Sequence, residues 1–315
     1  MLSAAIKSPA AAAETTATAI RTTNLTKTYG KQRGIIDLSL EVHTGEVFGF
    51  LGPNGAGKTT TIRTLLDFIR PSSGSAQVLG LDSHHQSIAI HQQVSYLPGE
   101  LMLYEKMTSR ELLTYFASLR GGVDWTFANS LAERLELDLK RPIRTLSKGN
   151  KQKVGLVQAF MSKPKLLILD EPTSGLDPLV QQEFNQMVNE VKADGRTIFL
   201  SSHLMDEVET ICDRVGIIRA GELLVVDDVR SLKSKALRTL DLHFGQPVPA
   251  EAFASIANVR DVHVVDGHVH CVITGSVDAL IKVAAQFELI NIVSHEADLE
   301  EIFMTYYKGE ANHAE

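Results

Sequence analysis

Gly52-Pro53-Asn54-Gly55-Ala56-Gly57-Lys58-Thr59 is the stretch on which the reading of this chain turns. It follows the apolar run Val47-Phe48-Gly49-Phe50-Leu51 and precedes a helical pattern that starts near Lys58. A strand, a glycine-rich loop and a helix, in that order, form the context in which G-x-x-x-x-G-K-S/T holds phosphate. Gly55 and Gly57 allow a tight turn, so that successive N–H groups point inward at phosphate oxygens. The helix adds the positive end of its dipole. Lys58 is long enough to reach β- and γ-phosphates, and the Thr59 hydroxyl is a ligand for Mg²⁺. The plain alternative is a glycine-rich turn ahead of a helix. The pattern arises by chance in about one in a hundred chains of this length, and its context lowers that figure. Nucleotide binding is therefore the expectation.

Working outward, two more apolar runs stand out: Leu166-Leu167-Ile168-Leu169 and Thr197-Ile198-Phe199-Leu200. Runs without polar alternation fit strands covered on both faces, and helical patterns such as Pro178 to Lys192 lie between them. The expected fold is α/β, a parallel sheet flanked by helices. Asp170-Glu171 follows the second run directly, at the strand edge where ligands of open α/β sheets sit. Asp170 suits Mg²⁺, and Glu171 suits polarising an attacking water. An acidic pair after a strand equally suits a helix start. Beside the phosphate loop it points to hydrolysis.

Composition narrows the class. Of 315 residues, 44% are hydrophobic, and 31 basic against 38 acidic side chains give a net charge of -7. That balance argues against a nucleic-acid partner, which needs a basic stripe. The two cysteines, Cys212 and Cys271, lack metal-ligand spacing and read as reduced, buried thiols. No run reaches the ~18 apolar residues of a membrane span. Residues 1–20, rich in Ala and Thr, read as a disordered tail.

Residues 84–160 read as a mostly helical insertion. Thr108 and Glu111 have capping-box spacing and open a helix through Leu119, and Phe127 to Leu135 continues the pattern. From about residue 236 to 315 the texture changes. Strand, helix, hairpin around Asp266-Gly267, helix, strand and a closing helix at Leu299–Tyr307 suggest a small ferredoxin-like α+β accessory domain.

Leu146-Ser147-Lys148-Gly149-Asn150-Lys151-Gln152 lies just before a helix and about twenty residues ahead of the acidic strand. It resembles the L-S-G-G-Q signature of ATP-binding-cassette (ABC) ATPases, with Lys148 and Asn150 as departures. The resemblance covers residues 21 to about 230, within a P-loop ATP-binding domain expected over 21–235. It implies that Tyr29 stacks on adenine and that Gly52 to Thr59, with Thr60, hold the phosphates. It further implies that Ser147 and Gly149 clasp a γ-phosphate. Asp177, in Ser174-Gly175-Leu176-Asp177, matches the loop that crosses the dimer interface. His203, after Ser201-Ser202, matches the histidine beside the γ-phosphate. The family glutamine after Tyr96-Leu97-Pro98 is replaced by Gly99-Glu100.

The resemblance implies an ATPase using ATP and Mg²⁺, with Lys58, Glu171 and His203 at the chemistry. It implies a partner cassette, most simply a second copy, and a separate multi-span membrane permease on the inner face of the cell membrane. The likeness of the C-terminal residues to single-cassette exporters points to export. Two alternatives are a soluble ABC ATPase acting on a macromolecule and a module that senses ATP without hydrolysing it. His263, His268 and His270 are weaker as a metal site than as a half-exposed strand face. His84-His85 reads as loop, and Asp206, Glu207 and Glu209 as a solvated first helical turn.

Overall fold

The structure, a computed structural model, describes residues 17–30, 32–235, 238–273, 275–295 and 303. β1 (Thr18–Tyr29), β2 (Gln32–Leu38) and β3 (Glu41–His43) lead into β4 (Val47–Leu51), the glycine-rich loop and α1 (Lys58–Leu65). β5 (Ser73–Val78), β6 (Leu81–Asp82), α2 (Ser87–Gln93) and β7 (Val94–Leu97) follow. Next come α3 (Ser109–Leu119), α4 (Trp125–Arg134) and α5 (Lys148–Phe160). The chain returns through β8 (Leu166–Asp170), α6 (Pro178–Ala193), β9 (Thr197–Ser202) and α7 (Met205–Ile211). β10 (Arg214–Arg219), β11 (Glu222–Asp228) and α8 (Val229–Lys235) complete this part.

Six strands form the main sheet in the order β11-β10-β4-β9-β8-β7. All its pairs are parallel except the β10–β11 hairpin. Alternation along each central strand supplies two cores at once. Phe48 and Phe50, Leu166 and Ile168, and Phe199 enter the core toward the second sheet. Val47 and Leu51, Leu167 and Leu169, and Ile198 and Leu200 enter the core under the helices. Both faces are dry, which is why these runs carry no polar alternation. Phe199 is the hub of the first core, stacked on Phe48 at 5.9 Å and tilted against Phe50 at 5.5 Å.

Three expectations need correction. The sheet is not the only one: β2-β1-β5-β6, with β3 also on β1, is antiparallel. Its strand β1 buries Ile20 and Leu25 but exposes Arg21, Thr23 and Asn24, the half-buried pattern of an antiparallel strand, in a segment rich in threonine. Regular structure begins at Thr18, inside the stretch read as a tail, because Ala19 and Ile20 are buried; residues 1–16 lie outside the described residues. Finally, β7 falls within the stretch read as a helical insertion yet pairs with β8, Val94 opposite Leu166.

The helix starts follow local rules. Thr108 and Glu111 form a reciprocal capping box on α3, and Asp124 caps α4. Ser147 caps α5 by accepting the Asn150 N–H at 3.2 Å.

Residues from 238 on form β12 (Arg238–Phe244), α9 (Ala250–Ala254), β13 (Val259–Val265), β14 (His268–Ile273), α10 (Asp278–Ala284) and β15 (Leu289–His295). The sheet order is β13-β14-β12-β15, with every pair antiparallel. This unit has its own core around Leu242, Phe253 and Leu280. Of the stretch read as a closing helix only Phe303 is described; it is buried in the helix-side core of the first part. The rest of that stretch lies outside the described residues. Among the described residues no helix is long and apolar enough to cross a membrane.

Phe199→Ala should lower unfolding free energy by about 3–5 kcal/mol, the cost of emptying an aromatic core site. Urea unfolding monitored by circular dichroism checks this, and a loss under 1 kcal/mol would contradict the hub assignment.

Candidate active site

Strand register assembles the site. Leu51 lies opposite Ser202, and Asp170 opposite Ser201, so the loops after β4, β8 and β9 leave the sheet at one edge. The glycine-rich loop is held against its surroundings. A side chain on Gly57, at φ +113°, would meet the Gly34 carbonyl at 2.6 Å. Lys58 is buried, and its Nζ donates to the Gly52 carbonyl at 2.5 Å. Nζ also stands 3.2 Å from Glu171 Oε1, an ion-pair contact without hydrogen-bond geometry.

The acidic pair diverges as strand geometry requires. Asp170 ends β8 and accepts the Thr59 hydroxyl on Oδ2 at 2.8 Å and the Ser201 hydroxyl on Oδ1. Glu171 turns away at φ +51°. Its Oε2 meets His203 Nδ1 at 2.6 Å. Lys58, Glu171 and His203 therefore form one contiguous chain of charged and polar groups.

A cavity of about 650 Å³ opens above this edge. Of the residues picked out from the sequence, Tyr29, Pro53, Asn54, Gly55, Gly57, Lys58, Thr59, Thr60, Asp170, Glu171 and His203 line it. Gly52 and Ala56 belong to the same loop but shape it from behind: a Cβ on Gly52 would strike the Ile218 carbonyl, and Ala56 is buried. Ser147, Gly149 and Asp177 do not line it. Ser147 caps α5, Gly149 backs onto the Gly175 carbonyl, and Asp177 caps α6 by accepting the Val180 N–H.

Comparison with known proteins agrees with this geometry. Residues 35–174 match the family model described as ABC transporter. The bacitracin transport ATP-binding protein BcrA of Bacillus licheniformis is 33% identical over 305 residues, covering 93% of this chain and 98% of the relative. The linearmycin resistance ATP-binding protein LnrL of Bacillus subtilis (strain 168) is 32% identical over 297 residues, covering 89% and 96%. The chain belongs to the ABC transporter ATP-binding proteins. A solved ATP-binding subunit of an ABC transporter superposes with a TM-score of 0.64 at 31% identity, covering 68% of this chain and 91% of that one. A dimeric cassette bound to ADP and Pi, at 20% identity and a TM-score of 0.62, shares the fold. The protein is thus the ATP-binding, ATP-hydrolysing subunit of an ABC transporter.

Several groups in this ATPase site were not among the site residues expected from the sequence. Arg63, one turn along α1, and Tyr96, at the end of β7, line the cavity. Burial and the Asp170 charge push the Tyr96 phenol up to about 12, so it stays protonated. Lys148, which fills a family glycine position, also lines the cavity and donates to Ser174 Oγ at 3.3 Å. Gln152 is buried against the loop after β8. None of these obeys a spacing rule, since tertiary packing alone brings them in.

Other constellations resolve differently. His263 stands opposite His270, whose Nδ1 is held by Asp241 at 2.7 Å. Among the described residues no group of three His, Cys, Asp or Glu side chains could hold a metal. His84 and His85 pair locally with Asp67 and Asp82. The solvated-turn reading of Glu207 is corrected: its Oε2 accepts the Ser202 hydroxyl at 2.6 Å, and its Oε1 is buried without a hydrogen bond. Glu209 pairs with Lys233. Helix α7 turns Glu207 back toward β9, which a charge pattern alone does not reveal.

Burial raises the Glu207 carboxyl above its ordinary 4.5, against hydrogen bonds from Ser202 and Thr173, and the Glu171 charge adds to the rise. The folded state therefore holds this proton more tightly than the unfolded chain does, and ionisation above that range costs stability. Glu207→Gln should be more stable than the parent at pH 8, with the difference shrinking toward pH 5. Melting curves across that range test it; a gain that grows as pH falls would contradict the assignment.

Proposed function

We propose that this ATPase works as a head-to-tail pair of cassettes, each triphosphate held between the Lys58 loop of one chain and Ser147–Gly149 of the other. The observation that carries this reading is the division of the motifs. One chain's cavity has the loop, both carboxylates and His203, whereas its own Ser147 and Gly149 face elsewhere. The start of α5, capped by Ser147, is an anion site of the kind helix N-termini provide. A second copy is the simplest source of the missing half.

Within each composite site, Tyr29 is proposed to stack on adenine; it lines the cavity and is half exposed. The loop N–H groups and Lys58 take the phosphates. The donor set suits Mg²⁺: Thr59 and Asp170 present hard oxygens 2.8 Å apart. Bound there, the ion would neutralise phosphate charge. Glu171 takes a proton from water as the water oxygen attacks the γ-phosphorus, and the bond to the β-phosphate oxygen breaks to give ADP and phosphate. His203, already on Glu171 Oε2, steadies the carboxylate and faces the γ-phosphate.

The permease is proposed to dock in a cleft of about 740 Å³ beside the site. Ile88, Phe68 and Leu119 line it and are 77%, 54% and 65% exposed, unusually high for large apolar side chains. Tyr96 lines both this cleft and the nucleotide cavity, so one side chain borders both. Such docking sets the subunit on the inner face of the cell membrane. The relatives' names, bacitracin transport and linearmycin resistance, support export of an antibiotic-like compound. Those names leave the soluble alternative without support. Residues 236–315 are proposed to be an accessory unit of the ferredoxin-like kind, given the split β-α-β strand order.

Glu171 is the counter-ion of buried Lys58. Glu171→Gln removes that charge and leaves the phosphates as the remaining one. Turnover should fall about 10²–10⁴-fold with loss of the base, while ATP binds at least as tightly and pairs the chains. Phosphate release and light scattering with ATP measure this. Near-normal turnover, or a monomer at saturating ATP, would count against the proposal.

A further inference from the structure

The turn that carries Glu171 is not self-supporting. Glu171 adopts φ +51°, a left-handed conformation that non-glycine residues hold only when their surroundings impose it. Hydrogen bonds with three partners outside its own side chain impose it here. Its N–H donates to the Ser201 carbonyl at 3.0 Å, and its carbonyl accepts the Ser174 N–H at 3.2 Å. The third comes from a different element. Gln152, on α5 and 3% exposed, donates its carboxamide Nε2 to the Pro172 carbonyl at 2.8 Å and to the Glu171 carbonyl at 3.4 Å.

Two neighbours on α5 reinforce the link. A side chain on Gly149 would collide with the Gly175 carbonyl at 2.5 Å, so helix start and loop touch backbone to backbone. Lys148 lays its stem near Gly175 and donates to Ser174. The first turns of α5 therefore grip the loop 171–175 on one side. On the other side they end in Ser147, the residue proposed to meet the partner's triphosphate.

We infer that Gln152 is a positioning residue for hydrolysis: its buried carboxamide fixes the left-handed turn at Glu171 and ties it to the start of α5. The inference rests on the reading of Glu171 as the base. Phosphate gripped at Ser147 then sets, through Gln152, the aim of the carboxylate in the other site. Loss of the carboxamide strips the Pro172 carbonyl of this donor and leaves the Glu171 carbonyl to Ser174 alone. The turn relaxes, and an ångström of drift at the carboxylate is enough to slow the chemistry strongly.

The test measures kcat, KM, ATP affinity and melting temperature for Gln152→Leu and Gln152→Glu, with Glu171→Gln alongside. Gln152→Leu should lower kcat roughly ten- to a hundredfold, with KM and ATP affinity within about twofold of the parent. Gln152→Glu supplies a reading that simple destabilisation does not mimic. A protonated carboxyl donates one hydrogen bond to Pro172, whereas an ionised one repels the carbonyl, so its kcat relative to the parent should rise as pH falls from 8 to 6. An unchanged kcat in Gln152→Leu would overturn the inference, as would a flat pH ratio in Gln152→Glu. If Glu171→Gln itself keeps turnover, the base assignment fails instead, and the two failures are distinct.

Discussion

The parallel register of β4, β8 and β9 is the constraint on which the rest depends. Each strand ends at the same edge, and each releases one chemical loop there: the phosphate cradle, the acidic pair, and Ser201 to His203. A slip of one residue would turn Asp170 off its partner Ser201 and send the buried rows to the wrong faces. Register is secured by dry packing on both sides, with Phe48, Phe50 and Phe199 locked together on one face. Fold and chemistry are thus set by one pattern of side chains.

At that edge the charged groups satisfy one another. Lys58 is buried beside Glu171, Glu171 is held by His203, and Asp170 is bonded to Thr59 and Ser201. A buried lysine stripped of its partner costs on the order of 3–5 kcal/mol, so the pair helps hold the loop in shape. In the proposed mechanism, phosphates take over Lys58 and Glu171 is released to act on water.

Much of this was legible in the residues. The central strands are unbroken apolar runs, and Lys58, Thr59, Asp170, Glu171 and His203 occupy positions that chemistry requires. The structure brings all five to one cavity. What stayed hidden depends on contacts between distant segments. The antiparallel sheet is built around β1, whose threonines read as loop or strand alike. Strand β7 is four residues long and sits between helices, so its pairing with β8 has no local signature. Glu207 looks like a solvated charge until α7 folds it toward Ser202. Gln152 is visible in the signature segment, but its grip on the turn at Glu171 exists only in three dimensions.

The account's central claim is that a triphosphate bridges two chains. A crystal structure of the Glu171→Gln protein with ATP tests it most directly. The account predicts γ-phosphate oxygens within hydrogen-bond distance of Lys58 Nζ from one chain and of Ser147 Oγ from the other. A nucleotide enclosed by one chain alone, with every Ser147 open to solvent, would contradict it.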